Sequence, residues 1–247
     1  MATHSEASVF APLVVSTPAI GLLFDSSLPE RLDRVMSAVH PAGFPGQTLR
    51  RLLDLLASGL LMPGGGSAAG IGGALGVSLL LMVASLPRKG SIPLQENELK
   101  SVIARLRPAR DRLVHLAELD VDAYSRVIEA LRLPKETPAQ HLARHAALQH
   151  ALRGATDVPL DMMQVCEEAL RCGIVVSNHS RLSTKADLAI GIELISVALR
   201  GAARTVDANL SRFADENYVA RVTEQCRRFQ ANGAETTKAI LRTLAPV

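Results

Sequence analysis

The sequence implies an all-α protein: a bundle of long helices around a central Gly- and Ala-rich helix. Three features point to it. Beyond Gln47, apolar residues recur at helical spacing almost without interruption. No alternating apolar–polar run with hairpin turn chemistry stands out. Aromatic residues are 3% of the chain and Trp is absent, whereas β-sandwiches draw heavily on aromatic and β-branched side chains. With 48% hydrophobic and 21% charged residues over 247 positions, the chain can bury a full core and is not of disordered composition.

Residues 1–45 stand apart. Pro12, Pro18, Pro29, Pro41 and Pro45 interrupt short apolar runs, so this part reads as a loosely ordered N-terminal extension with a short helix near Leu28–Val39. The helical domain is 46–247. Its first helix, marked by Leu49, Leu52, Leu53, Leu55 and Leu56, ends near Ser58-Gly59. Pro63-Gly64-Gly65-Gly66-Ser67 then breaks the chain, with Ser67 a candidate N-cap. Ala68–Leu86 follows without a single charge and stops at Pro87. That run approaches the ~20 residues that span a bilayer. It is diluted by Gly70, Gly72, Gly73, Gly76, Ser78 and Ser85, and the helices around it are amphipathic. An apolar-all-round helix in that company reads as a buried core helix, with no membrane partner.

A long helix is predicted from Gln95 to Leu133, with Pro108 as a candidate kink. Pro134 and Pro138 punctuate. One helix follows over 139–153, and a separate one opens at Val158-Pro159 and runs to Val176, with Pro159 in its first turn. Lys185–Arg212 and Asp215–Leu244 complete the bundle.

Net charge is +3, mildly basic. This suits an anionic small molecule better than a nucleic acid, whose bases would need aromatic platforms. Cys166, Cys172 and Cys226 are odd in number and lack metal-ligand spacing, which points to a reducing, cytoplasmic setting. Met1–Phe24 has no basic leader segment, so no secretory signal is expected. His141 and His145 stand at i, i+4, but no Glu follows His141, and the pair reads as a solvated face. No metal and no prosthetic group are expected.

Three features carry chemistry. Pro63, Gly64, Gly65, Gly66 and Ser67 could turn successive backbone N–H groups toward one point at a helix start, a site for a carboxylate, phosphate or oxyanion. The plainer alternative is a flexible turn. On the helix from Lys185, Asp187 shares a small, apolar face with Gly191, Leu194, Ala198, Gly201, Thr205 and Asn209. A carboxylate there suits acid/base work, or it compensates the helix dipole in the first turn. Asp187 and Asn209 lie ~33 Å apart on an unbroken helix. They serve one site only if another subunit completes it. Asp120 shares a face with Tyr124, Val127 and Leu131, and by itself reads as a surface carboxylate.

Taken together these pieces resemble the cyclodeaminase/cyclohydrolase family, which includes formiminotransferase-cyclodeaminase C-terminal-like domains and methenyltetrahydrofolate cyclohydrolases. The likeness runs from Gln47 to the C-terminus. It rests on Leu56-Ala57-Ser58, then Pro63 to Ala69, then Gly73-Ala74-Leu75-Gly76. Asp120 to Tyr124, Leu133-Pro134-Lys135, Ala155-Thr156-Asp157-Val158-Pro159-Leu160, Lys185-Ala186-Asp187 and Asn209-Leu210 continue it. Ala186 stands where the family usually has Ser, and Thr205 where it usually has Asn. The basic segment after the glycine helix is reduced to Arg88-Lys89-Gly90.

The resemblance implies a homodimer that binds a one-carbon tetrahydrofolate derivative as substrate. The implied reaction is hydrolysis of 5,10-methenyltetrahydrofolate to 10-formyltetrahydrofolate. The alternatives are cyclodeamination of a formimidoyl group with release of ammonia, or folate binding without turnover. Asp187 is the implied principal acid/base and Asp120 the second candidate. Pro63 to Ser67, Arg88, Lys89, Lys135, Lys185 and Asn209 are the implied substrate contacts.

Overall fold

A computed structural model describes residues 48–59, 62–87 and 93–245. The extension 1–45 and its expected helix lie outside the described residues, as do Arg88 and Lys89. The described chain forms six α-helices and no strand among the described residues. They are α1 (Leu49–Ala57), α2 (Gly65–Ser85), α3 (Pro93–Arg132), α4 (Pro138–Asn178), α5 (Lys185–Leu210) and α6 (Glu216–Leu244), with one 3₁₀ turn at Leu182–Thr184.

Local chemistry sets most boundaries. The Thr48 hydroxyl caps α1 by accepting from the Arg51 N–H. Thr137 and Gln140 close a reciprocal capping box at the start of α4, with Pro138 in the first turn, where its missing N–H costs nothing. Asp215 caps α6 by accepting from the Tyr218 N–H. The start of α2 differs from expectation. The helix begins at Gly65 with Gly64 as its cap, so Ser67 is the third helical residue and not the cap.

The largest departure is α4. The sequence splits 139–153 from a helix opening at Pro159, yet one helix runs through both, with Pro159 inside it. Proline cannot donate to the carbonyl four residues back, which is Ala155. That carbonyl instead accepts the Asn209 Nδ2–H of α5, at 2.8 Å. A side chain from another helix replaces the lost bond, and the helix continues.

α2 packs against α3 and α5 and, more lightly, α4. The α2–α5 crossing is backbone on backbone. A Cβ on Gly76 would stand 2.6 Å from the Gly191 carbonyl oxygen, and one on Gly191 3.0 Å from that of Gly76. Ala69 of α2 lies opposite Gly201, so α2 and α5 run antiparallel. The start of α2 therefore meets the end of α5. Leu80, Leu106, Leu113, Leu116, Met163 and Ile195 fill the core between them, fully buried.

The expectation that α2 is buried on all sides needs correction. Leu75 (56% exposed) and Met82 (42%) face outward, as do Ile190 (51%) and Val197 (56%) on the neighbouring α5. Each pair is seven residues apart, two helical turns, so both helices present one apolar stripe on the same side of the bundle. Of the described helices, Gly65–Ser85 is the one long and apolar enough to cross a bilayer, and 61% of its apolar window is buried against its neighbours.

Candidate active site

The glycine corner and Asp120 meet. The Ser67 hydroxyl donates to Asp120 Oδ2 at 3.0 Å, and the Ser67 backbone N–H donates to the same carboxyl. Ser67 itself is fully buried. A Cβ on Gly66 would run into the Asp120 carboxyl, so only glycine lets α3 bring this carboxylate onto the first turn of α2. Asp120 is half-buried. Burial raises its pKa above the ordinary aspartate value, and the two Ser67 donors pull it partly back.

This changes what the glycines do. The sequence offered their amides to an anion on a ligand. The Ser67 amide and hydroxyl instead hold a carboxyl of the same chain, set at the positive end of α2. What faces outward is that carboxyl, beside Gly65, around whose Cβ position there is open space. Pro63 is buried and follows a cis peptide bond.

Two more groups share this end of the bundle. Tyr124, one turn beyond Asp120 on α3, has its pKa raised by burial and partly lowered by the nearby Arg212 guanidinium. Arg212 lies two residues past the end of α5, and although the predicted helix reaches it, nothing in the face pattern marks it as a site residue. Asn209 is there too, but its amide N–H is engaged by Ala155. The Asn209 carboxamide thus holds the site's scaffold together. Below it, the Tyr218 hydroxyl donates to Asp157 Oδ1 at 3.0 Å, and Arg153 bonds the Asp215 carboxylate at 2.9 Å. These pin the start of α6 to α4.

The remaining expected site residues lie elsewhere. Asp187 is in the first turn of α5, part-exposed, at the opposite end of that helix from Asn209. Within one chain it does not reach the Asp120 corner. Lys185 donates through Nζ to the Thr243 carbonyl of α6, at 3.3 Å, also at the far end. Lys135 is exposed between α3 and α4. Thr205 turns its hydroxyl back to the Gly201 carbonyl. Cys166 is buried, with its thiol pushed up to about 12, and all three cysteines are free and internal, as core residues should be. Among the described residues no group of three His, Cys, Asp or Glu is placed to hold a metal.

The family model described as formiminotransferase-cyclodeaminase matches residues 48–228. A methenyltetrahydrofolate cyclohydrolase of Methylorubrum extorquens is 32% identical over 200 residues, covering 80% of this chain and 96% of the relative. A formimidoyltransferase-cyclodeaminase of Gallus gallus is 29% identical over 183 residues, covering 74% of this chain and 34% of that protein. The crystal structure of formiminotetrahydrofolate cyclodeaminase from Thermotoga maritima aligns with a TM-score of 0.72 at 22% identity, covering 80% of this chain and 96% of that one. The latter likeness speaks to the fold.

Proposed function

The chain belongs to the formiminotransferase-cyclodeaminase family, and on that premise we propose that it is a folate-dependent one-carbon enzyme hydrolysing 5,10-methenyltetrahydrofolate to 10-formyltetrahydrofolate. The observation that carries the site assignment is the Asp120 carboxyl, held by two Ser67 donors where only glycine fits. Hydrolysis forms a bond from water oxygen to the methenyl carbon and releases one proton. The bond from that carbon to N5 then breaks as the nitrogen takes a proton and the added hydroxyl gives up its own to become the formyl carbonyl. One positioned group can accept the first water proton and pass it to N5, while the hydroxyl proton leaves to solvent. A carboxyl whose pKa is raised by burial is closer to that task than an ordinary aspartate. Ser67 fixes its direction, and Tyr124 and Arg212 stand beside it to receive the polar parts of the substrate.

Cyclodeamination is the second reading. Ring closure of a formimidoyl group with loss of ammonia needs the same kind of proton carrier. The hydrolase is favoured by the higher identity with the methenyltetrahydrofolate cyclohydrolase, 32% against 29% for the Gallus gallus formimidoyltransferase-cyclodeaminase, of whose length the chain spans about a third. Purified protein given methenyl- and formimidoyl-tetrahydrofolate separately decides it. The hydrolase consumes the methenyl absorbance and releases no ammonia from the second substrate. Ammonia release would reverse the assignment, and binding without either reaction would make the protein a folate binder.

We further infer a homodimer through the apolar stripe of α2 and α5. Its support is the pairing of Leu75 and Met82 with Ile190 and Val197 on one face, and the open side of the corner at Gly65. A two-fold axis across these helices brings opposite helix ends together. Asp187 of one subunit then completes the Asp120 corner of the other, which gives Asp187 its expected acid/base role.

A further inference from the structure

A recess lies away from the Asp120 corner. It is a groove of about 530 Å³ between α5 and α6. Its polar lining is Ser196 and Arg200 from α5, with Thr237, Lys238 and Arg242 from α6. Its apolar floor is Leu241 with small residues. Three cations line it and no carboxylate does. Lys238 and Arg242 make no ion pair among the described residues, and Arg242, in the last turn of α6, also complements that helix's carbonyl end.

The hydroxyls point the same way. Ser196 is 7% exposed, and its Oγ accepts from Arg200 Nη1 at 2.7 Å. Ser196 thereby orients the guanidinium and keeps its own O–H to donate. The Thr237 Oγ1 is buried and has no hydrogen-bond partner among the described residues. A buried hydroxyl without a partner is costly and seldom retained without cause. Here the threonine lines a groove ringed by positive charge, though its hydroxyl oxygen is closed off from solvent. The Ser196 O–H and three cations over an apolar floor match the oxygens of a multiply charged oxyanion.

We propose that this groove is a binding site for a small polyanion, a phosphate ester or a polycarboxylate, separate from the Asp120 corner. Within one chain, Ser196 and Asn209 are 13 residues apart on α5, ~20 Å along an unbroken helix, so the groove and the Asp120 corner of the same chain do not share groups.

Calorimetric titration of the full chain with pyrophosphate and, separately, citrate tests the assignment. Binding of either supports it, and the one preferred tells phosphate from carboxylate chemistry. Lys238→Gln should weaken binding about tenfold, since a charge-assisted contact is lost. Thr237→Val removes a buried hydroxyl without a partner, so it should raise the melting temperature of the free protein and leave affinity unchanged. Asp120→Asn should leave binding unchanged. The proposal is overturned if neither probe binds at 10 millimolar (about the weakest affinity worth calling a site). It also fails if Lys100→Gln/Arg107→Gln on α3 weakens binding as much, or if Asp120→Asn abolishes it.

Discussion

Asp120 is placed where function and stability pull apart. Its folded pKa lies above the ordinary value of 3.8, chiefly through desolvation. Below 3.8 both folded and unfolded chains hold the proton, and the group is neutral to stability. As pH rises from 3.8 through the raised value, the unfolded chain ionises first, so folding loses stability and then levels off. Asp120→Asn should therefore raise the denaturation midpoint at pH 7, and the gain should vanish on acidification toward 3.8. Turnover should fall by about 10²–10⁴-fold in the same variant. A variant that loses turnover without gaining stability would mean that the carboxyl is not desolvated. Asn209 offers a second test. Asn209→Ala strips the Ala155 carbonyl of its donor and should cost ~1–3 kcal/mol in urea titration. Pro159→Ala restores the missing backbone N–H. In the double variant the Asn209 change should cost much less, a coupling that a double-mutant cycle reads directly.

Among the helices, close approach decides which residues tolerate change. Gly76→Ala and Gly191→Ala each force a methyl against a carbonyl oxygen across the α2–α5 crossing. Each should destabilise by about 1–3 kcal/mol, the usual range for overpacking. Gly154, with nothing within 4 Å of its Cβ position, should instead gain ~0.5–1 kcal/mol on Gly154→Ala, from helix propensity alone. Thermal denaturation separates the two cases. Helices were legible where their signals are local. Pro87 after α2, Thr137 and Pro138 before α4 and Asp215 before α6 mark ends within a residue or two. The continuity of α4 was not, because the donor that rescues it is 54 residues away in sequence. The same limit applies to the site. The residues themselves marked the glycine corner and Asp120, and the resemblance gave them roles, but the face pattern of α3 alone could not tell a solvated aspartate from one resting on the start of α2. Arithmetic along α5 did separate Asp187 from Asn209.

For the whole molecule, the question is what covers the α2–α5 stripe. If a second copy does, with opposite ends meeting, Asp120 and Asp187 of one site come from different chains. Asp120→Asn and Asp187→Asn should each be inactive. Mixed and reassembled, they should recover about a quarter of wild-type activity, since half of randomly paired dimers hold one intact site of two. No recovery would remove Asp187 from the shared site. Leu75→Glu/Val197→Glu should shift sedimentation from dimer to monomer and lose activity with it.

The bond from Asn209 to Ala155 also bears on how the chain comes into being. During synthesis, Pro159 leaves the ribosome well before Asn209 does. Until Asn209 arrives, the Ala155 carbonyl has no donor from its own helix. The two halves of α4 are then free to hinge, and the nascent chain stays supple at the joint that later supports the Asp120 end. Straightening that joint is a task left to a residue 54 positions further along the chain, so the foundation of the Asp120 corner sets later than the helix that carries it.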